Sequence, residues 1–321
     1  MSPFMTRRSL FTLAAASLSV GCARGEDRVE RPELEEIHVG ALPIVDVVGL
    51  DIAEQRGYFA AEGLRIQVRE LTTGADAVPD LESGKLQFAV GSYVSWFTAH
   101  LAQKLDLCVV ADCYQAQPNV FMIMGKPGSR VRGIGDMEGR KLAVNALDSI
   151  TTLIASSTLR AAGVRPATVK FVTMPFPQMH DALSKGAVDA ALMAEPYITD
   201  SQLKNGTIAL ADAASGPTRD IAVAGWAANR KFVTANPRTA RAFQRAVQRG
   251  QIAATKDRSL VQEAVMRRTR VDHTVADLMH LGRWPDSLNE IRLDRVVGLM
   301  REHGGLDVHL DTDTVVLRKP E

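Results

Sequence analysis

The chain of 321 residues is 46% hydrophobic and 23% charged, with a formal net charge of +1 and no long basic run. That composition is enough for one large globular domain or two medium ones, and it offers no electrostatic footprint for nucleic acid. Three cysteines are too few for a disulfide framework, and the seven histidines show no metal-ligand spacing, so neither a disulfide scaffold nor a bound metal is expected.

The first segment, residues 1–21, reads as an export signal. Arg7 and Arg8 precede an apolar run too short for a membrane span, and small residues follow. The paired arginines resemble a twin-arginine signal. The end, Ser19-Val20-Gly21-Cys22, resembles a lipoprotein cleavage box, with Ser19 where that box prefers an aliphatic residue. Lipidation at Cys22 would place the protein on the outer face of the cytoplasmic membrane. Cleavage there takes away two arginines and no acid, so the net charge falls to about −1. Residues 22–35 are highly charged and read as a tether. No second apolar run reaches the roughly 20 residues of a membrane span.

From residue 36 onward, strand and helix signals alternate. Strands are predicted at 37–41, 64–69, 86–90, 107–111 and 120–124, with helices at 49–56, 75–83 and 95–103. Cys108 and Cys113 fall in one strand, five steps or roughly 16 Å apart, beyond disulfide reach, and read as buried free thiols. Residues 126–135, rich in glycine, mark a boundary. The pattern then restarts, with strands at 141–145, 169–173 and 188–193 and helices at 149–162, 177–184 and 196–204. Residues 222–229 read as a returning strand. Residues 237–303 read as helical throughout and are expected to pack back on the first half.

Two decapeptides in this series are alike: Leu81 to Val90 (LESGKLQFAV) and Leu183 to Leu192 (LSKGAVDAAL). In each, a helical pattern stops at a glycine, Gly84 or Gly186, and a short apolar strand follows. Each is a helix–turn–strand corner of an α/β sheet, so two copies imply two sheets of similar design. The expected architecture is α/β and two-lobed. One lobe comprises residues 36–124 and 222–321, the other residues 125–221. Each is a mostly parallel sheet flanked by helices, with a cleft where the strands' carboxyl ends face each other.

Three segments resemble one family. Ala53 to Val68 (AEQRGYFAAEGLRIQV) resembles the pattern A-x-x-x-G-Y/F-F-x-x-x-G-L-x-V of periplasmic-type solute-binding proteins of the nitrate, sulfonate, taurine and thiamine-pyrimidine group. Ile134 to Val144 resembles its D-L-x-G-K-x-I-A-V segment, and Ala182 to Tyr197 its A-L-x-x-G-x-V-D-A-x-x-x-x-E-P segment. The resemblance spans about residues 36 to 300 and implies the two-lobed periplasmic-binding-protein-like fold (type II). It implies a monomer that captures a small molecule by hinged closure and passes it to an ABC permease, with no cofactor and no catalysis. Enzymes share this fold. The pyrimidine-precursor synthase type carries a C-C-C-F-C motif absent here, and its cytosolic substrates, like those of menaquinone-pathway enzymes, fit poorly with an export signal. A ligand-sensing partner of a membrane receptor would share every feature above.

Candidate ligand residues follow from the strand ends. In the first lobe these are Asp46, Thr73, Ser92, Tyr93 and Asp112. In the second they are Asn145, Ser149, Thr151, Phe176 and Glu195, with Trp226 beside the returning crossover. Hydroxyls and the Asn145 amide suit a polar head group, and Ser92 serves equally as a helix cap. Tyr93, Phe176 and Trp226 suit stacking on a flat ring or core packing. Glu195, before a proline, reads as a helix cap or as an acceptor for a ligand N–H. Up to three carboxylates near one cleft weigh against sulfonate or nitrate, because like charges about 4 Å apart repel by about 4 kcal/mol at an effective dielectric of about 20. An amine-bearing or heterocyclic ligand is preferred.

Overall fold

The computed structural model describes residues 31–303 and 309–317. Arg7, Arg8, the cleavage box and Cys22 lie outside the described residues.

The described chain runs β1 (Glu36–Ala41), α1 (Val48–Gln55), α2 (Tyr58–Ala61), β2 (Arg65–Glu70), α3 (Val78–Glu82), β3 (Phe88–Ser92), α4 (Tyr93–Leu101) and β4 (Leu107–Gln115). It continues through β5 (Phe121–Gly125), β6 (Lys141–Val144), α5 (Ile150–Ala161), β7 (Lys170–Thr173), α6 (Phe176–Ser184), β8 (Ala190–Ala194), α7 (Tyr197–Asn205), β9 (Ile208–Asp212) and β10 (Ala222–Asn229). Five helices close it: α8 (Arg230–Ala235), α9 (Pro237–Lys256), α10 (Arg258–Thr269), α11 (His273–Leu278) and α12 (Glu290–His303).

Two five-stranded sheets result, ordered β2-β1-β3-β10-β4 and β7-β6-β8-β5-β9. In each, the first three strands are parallel, and the fourth pairs antiparallel with both of its neighbours. The fourth strand is supplied by crossing: β10 returns to the first sheet, as expected, and β5 leaves for the second. The expectation that 120–124 belongs to the first lobe is therefore corrected. Phe121 to Gly125 pairs with β8 and β9, and its unbroken burial fills the middle of the second sheet. A run apolar on both faces fits any central strand, so composition could not say which sheet it joins.

The repeated decapeptides occupy equivalent corners. Gly84 and Gly186 have φ of +74° and +71°, the left-handed region that ends a helix without a Cβ penalty. The strands that follow, β3 and β8, sit third in their sheets. The polar residue before each strand has the same task. Gln87 accepts the backbone N–H of His38 at 2.7 Å, and Asp189 accepts that of Lys141 at 2.8 Å. Each side chain fastens its corner to the second strand of its own sheet, the parallel neighbour of the strand that follows.

The helical run packs more widely than expected. Helix α9 lies across α1, with Gly49 and Gly250 at the crossing, where a Cβ on Gly250 would collide with the Gly49 carbonyl oxygen. Helices α11 and α12, however, also touch α7 and α5 of the second lobe. The tether expectation is corrected at its end. Asn236, at the start of α9, gives no side-chain cap, and Glu33 fills that role from afar. Its carboxylate accepts Thr239 N at 2.7 Å, Thr239 Oγ1 at 2.8 Å and Arg238 N at 3.1 Å. Burial alone would raise the Glu33 pKa, but these bonds outweigh it and hold it at about 2. Cys108 and Cys113 lie buried on β4 as free thiols.

Candidate functional site

A cavity lies between the two sheets, with a water-centre volume of about 40 Å³. Its walls come from the segments after β1, β2, β6 and β7, from the end of β3, and from the first residues of β5 and β10. The last two fit because both strands run antiparallel to their neighbours, so their amino ends reach the edge where the other strands finish. Leu42, Ile44, Val90, Phe121, Ile150, Phe176 and Val223 make the walls apolar. Thr73, Ser92, Ser95, Asn145, Ser149 and Thr151 add polar residues, and Asp46 is the one acid in the lining among the described residues. Among the described residues no lysine, arginine or histidine lines it.

Four hydrogen bonds join the lobes around this cavity. Tyr197 Oη donates to Pro43 O at 2.8 Å, and Ser95 Oγ to Asp148 O at 2.8 Å. Asn145 Nδ2 donates to Thr72 O at 3.3 Å, and Ile150 N to Ser92 Oγ at 3.3 Å. Ser92 thus caps α4, through Ser95 N at 3.1 Å, and also holds the first N–H of α5 from the opposite lobe. The Ser149 and Thr152 hydroxyls donate to Ala146 O at 2.8 and 2.6 Å, and Ser149 and Thr151 are linked at 2.7 Å. These bonds make the 145–152 turn rigid. Phe176 stacks on Tyr197, with centroids 6.2 Å apart and planes 10° from parallel.

Of the eleven predicted ligand residues, Asp46, Thr73, Ser92, Asn145, Ser149, Thr151 and Phe176 meet at this cavity. Four do not. Tyr93 is fully buried and donates its hydroxyl to Asp112 at 2.9 Å. Asp112 is also paired with Arg292 at 2.7 Å, and Cys113 N donates to it at 3.0 Å; burial, offset by these partners, raises its pKa to about 6. Trp226 packs edge-on against Phe243 in the first core. Glu195 is fully buried. It accepts Thr199 Oγ1 at 2.9 Å, Thr199 N at 3.2 Å and His280 N at 3.0 Å. Burial raises its pKa and these donors oppose the rise. Glu195 therefore caps α7 and ties down the segment before Trp284, and its polar demand is met within the protein.

Asp46 differs from the other two acids. It lies in a single helical turn, Val45–Val47, and is 2% exposed. Trp284 Nε1 and the Cys113 thiol both donate to its backbone oxygen, at 3.1 and 3.3 Å, which fixes the turn. Its side-chain Oδ1 has no hydrogen-bond partner among the described residues. Burial drives its pKa up to about 7. Sequence reasoning missed Leu42, Val90, Ser95, Phe121, Val223 and Ala224 as wall residues. Ser95 was legible as the residue three after a cap. Phe121, Val223 and Ala224 depended on knowing that β5 and β10 run backwards.

Two sheets of matching strand order closed over a cavity at one edge define the periplasmic-binding-protein fold. A family model described as NMT1/THI5 like matches residues 45–259, about two thirds of the chain, and the chain belongs to that family. Solved structures superpose on it at low identity. The alkanesulfonate-binding protein SsuA from Xanthomonas axonopodis pv. citri, bound to MOPS, is 15% identical with a TM-score of 0.75, over 89% of this chain and 99% of that one. The periplasmic nitrate-binding protein NrtA from Synechocystis PCC 6803 is 16% identical with a TM-score of 0.68, over 76% and 69%. The Candida albicans CA3427 gene product, described as having the generic periplasmic binding protein fold, is 14% identical with a TM-score of 0.75, over 88% and 96%. No curated protein sequence matches the chain.

Proposed function

We propose that this protein is the solute-binding component of an ABC importer. It is exported, held at the outer face of the cytoplasmic membrane through a lipid on Cys22, and works as a monomer that captures a small organic molecule and hands it to a membrane permease. Chemistry on the ligand is no part of its task. The observation that carries this reading is the cavity between two lobes that are bridged around it by four cross-cleft hydrogen bonds, the geometry a hinged capture device needs in its closed state. The solute-binding neighbours and the family support it. An amine-bearing or heterocyclic ligand is favoured over sulfonate or nitrate, since the only ionisable side chain in the lining, among the described residues, is an acid.

Native mass spectrometry of the purified chain tests the capture. A co-purifying small molecule should appear as a discrete added mass and leave unchanged on release. A ligand at about 100 times its Kd should add about 2.7 kcal/mol of stability. An added mass that converts to a second product on incubation would overturn the reading in favour of an enzyme. Metabolic labelling with a fatty acid, lost in Cys22→Ser, tests the anchor.

A further inference from the structure

The cavity's size and its lone carboxyl restrict the ligand further, on the assumption that this cavity is the capture site. A water needs roughly 10–15 Å³ of water-centre volume, so about 40 Å³ admits three or four waters, a liquid volume on the order of 100 Å³. Ile44, Phe121, Phe176 and Val223 bound that space with hydrocarbon. Direct hydrogen bonds between the lobes, not a ligand spanning them, set its width. A flat bicyclic or long-tailed molecule does not fit.

The polar demand inside is specific. Asp46 lines the cavity and carries a buried carboxyl oxygen with no hydrogen-bond partner among the described residues, while Asp112 and Glu195 are satisfied. An uncompensated buried charge is strongly disfavoured, and a bound cation removes the penalty whereas a bound anion deepens it. The ionisable groups facing Asp46 are Cys113 and Tyr114 on β4, both pushed upward by burial and neutral at ordinary pH. The segment before α12 offers Trp284, and α1 turns its acids Asp51 and Glu54 toward Arg268. Among the described residues no cation acts on Asp46.

We propose that the cavity captures a compact organic monocation, a protonated amine of about four to six non-hydrogen atoms, with Asp46 as its charge partner and selectivity element. Apolar shoulders of the ligand meet the hydrocarbon walls, and the Thr73 hydroxyl accepts a remaining N–H group. Sulfonates and nitrate are excluded by charge, and larger heterocyclic amines by volume. Since ligand-free Asp46 holds a proton up to about pH 7, capture of the cation expels that proton.

Isothermal titration calorimetry with propylammonium chloride tests this, because that amine stays protonated from pH 5 to 8. Affinity should rise about tenfold per pH unit between pH 5 and 7 and level off above. Titrations at pH 6 in two buffers of different ionisation enthalpy should show close to one proton released per cation bound. Asp46→Asn should weaken binding at least tenfold and flatten the pH profile. Proton release by the unaltered chain decides the matter even if that variant fails to fold. Tighter binding of methanesulfonate or nitrate than of propylammonium, a pH-independent affinity, or no binding of propylammonium at all would overturn the inference. If propylammonium fails while native mass spectrometry still finds a retained molecule, the capture reading stands and only the ligand class falls. If both fail, both fall.

Discussion

Replacing Asp46 by asparagine should stabilise the ligand-free protein at alkaline pH. The folded carboxyl titrates at about 7 because burial disfavours its charge, whereas the unfolded chain releases that proton near its ordinary value of 3.8. Between those values the folded state holds a proton that the unfolded state has lost, so unfolding becomes easier as pH rises. The effect is about 1.4 kcal/mol per pH unit and reaches about 4 kcal/mol at most by pH 8, where it levels. An amide of the same shape carries no such penalty, though an unpaired buried amide still costs about 1 to 3 kcal/mol. The net gain expected from Asp46→Asn is about 1 to 3 kcal/mol at pH 8, with none below pH 4. Urea unfolding of ligand-free protein and variant at pH 4 and pH 8 measures it. A variant less stable than its parent at pH 8 would refute the reasoning, because Asp46 would then have a partner that holds it charged. A carboxyl that destabilises the empty protein is difficult to explain as scaffold, and a site that needs the charge on binding explains it.

Glu195→Gln should leave ligand affinity within about twofold. It should lower stability by about 2 kcal/mol, because an amide cannot accept from both Thr199 N and His280 N with both oxygens, and a buried N–H loses its charged acceptor. Thermal unfolding beside a binding titration separates the two effects, and a tenfold affinity loss at unchanged stability would contradict the placement. Tyr197→Phe removes one of the four cross-cleft bonds and should shift the closed–open balance by about 1 kcal/mol, roughly fivefold toward open. Small-angle scattering of the ligand-free protein should show a larger radius of gyration, and an unchanged radius would mean that bond does not hold the lobes. Gly250→Ala should destabilise by about 3 kcal/mol or more, since the added methyl meets the Gly49 backbone and not a flexible side chain; a melting temperature within 2 °C of the parent, short of the shift roughly 1 kcal/mol would give, would show that α1 and α9 can separate freely.

Much of the fold was legible because its signals are local. The paired decapeptides carry a helix stop, an apolar strand and a polar residue between them, and all three reappear at equivalent corners of the two sheets. Positions 37–41, 107–111 and 222–229 declared themselves as strands by their apolar and small residues, most of which are buried. What failed was pairing over distance. Ile208 to Asp212 is a short, half-exposed edge strand that pairs with only one neighbour, and nothing in Phe121 to Gly125 says that it crosses to the second sheet. Glu33 looked like one charge in a disordered run because its partner, Thr239, lies 206 positions away.

The three acids at the strand ends show why the site was only half readable. Asp46 and Glu195 follow a buried strand, whereas Asp112 lies within β4, which runs past the predicted end at 111; in sequence each is an acid beside small or apolar neighbours. Their fates are decided by residues that sequence proximity does not reveal. Arg292, brought by α12, and Tyr93 claim Asp112. His280, ahead of α12, shares Glu195 with Thr199. The same segment reaches Asp46 with Trp284, yet binds its backbone oxygen and leaves the carboxyl unclaimed. The C-terminal segment thus satisfies two of the acids and positions the third without satisfying it. An acid held in place by its main chain, with its charge unanswered within the protein, is suited to be answered by a ligand.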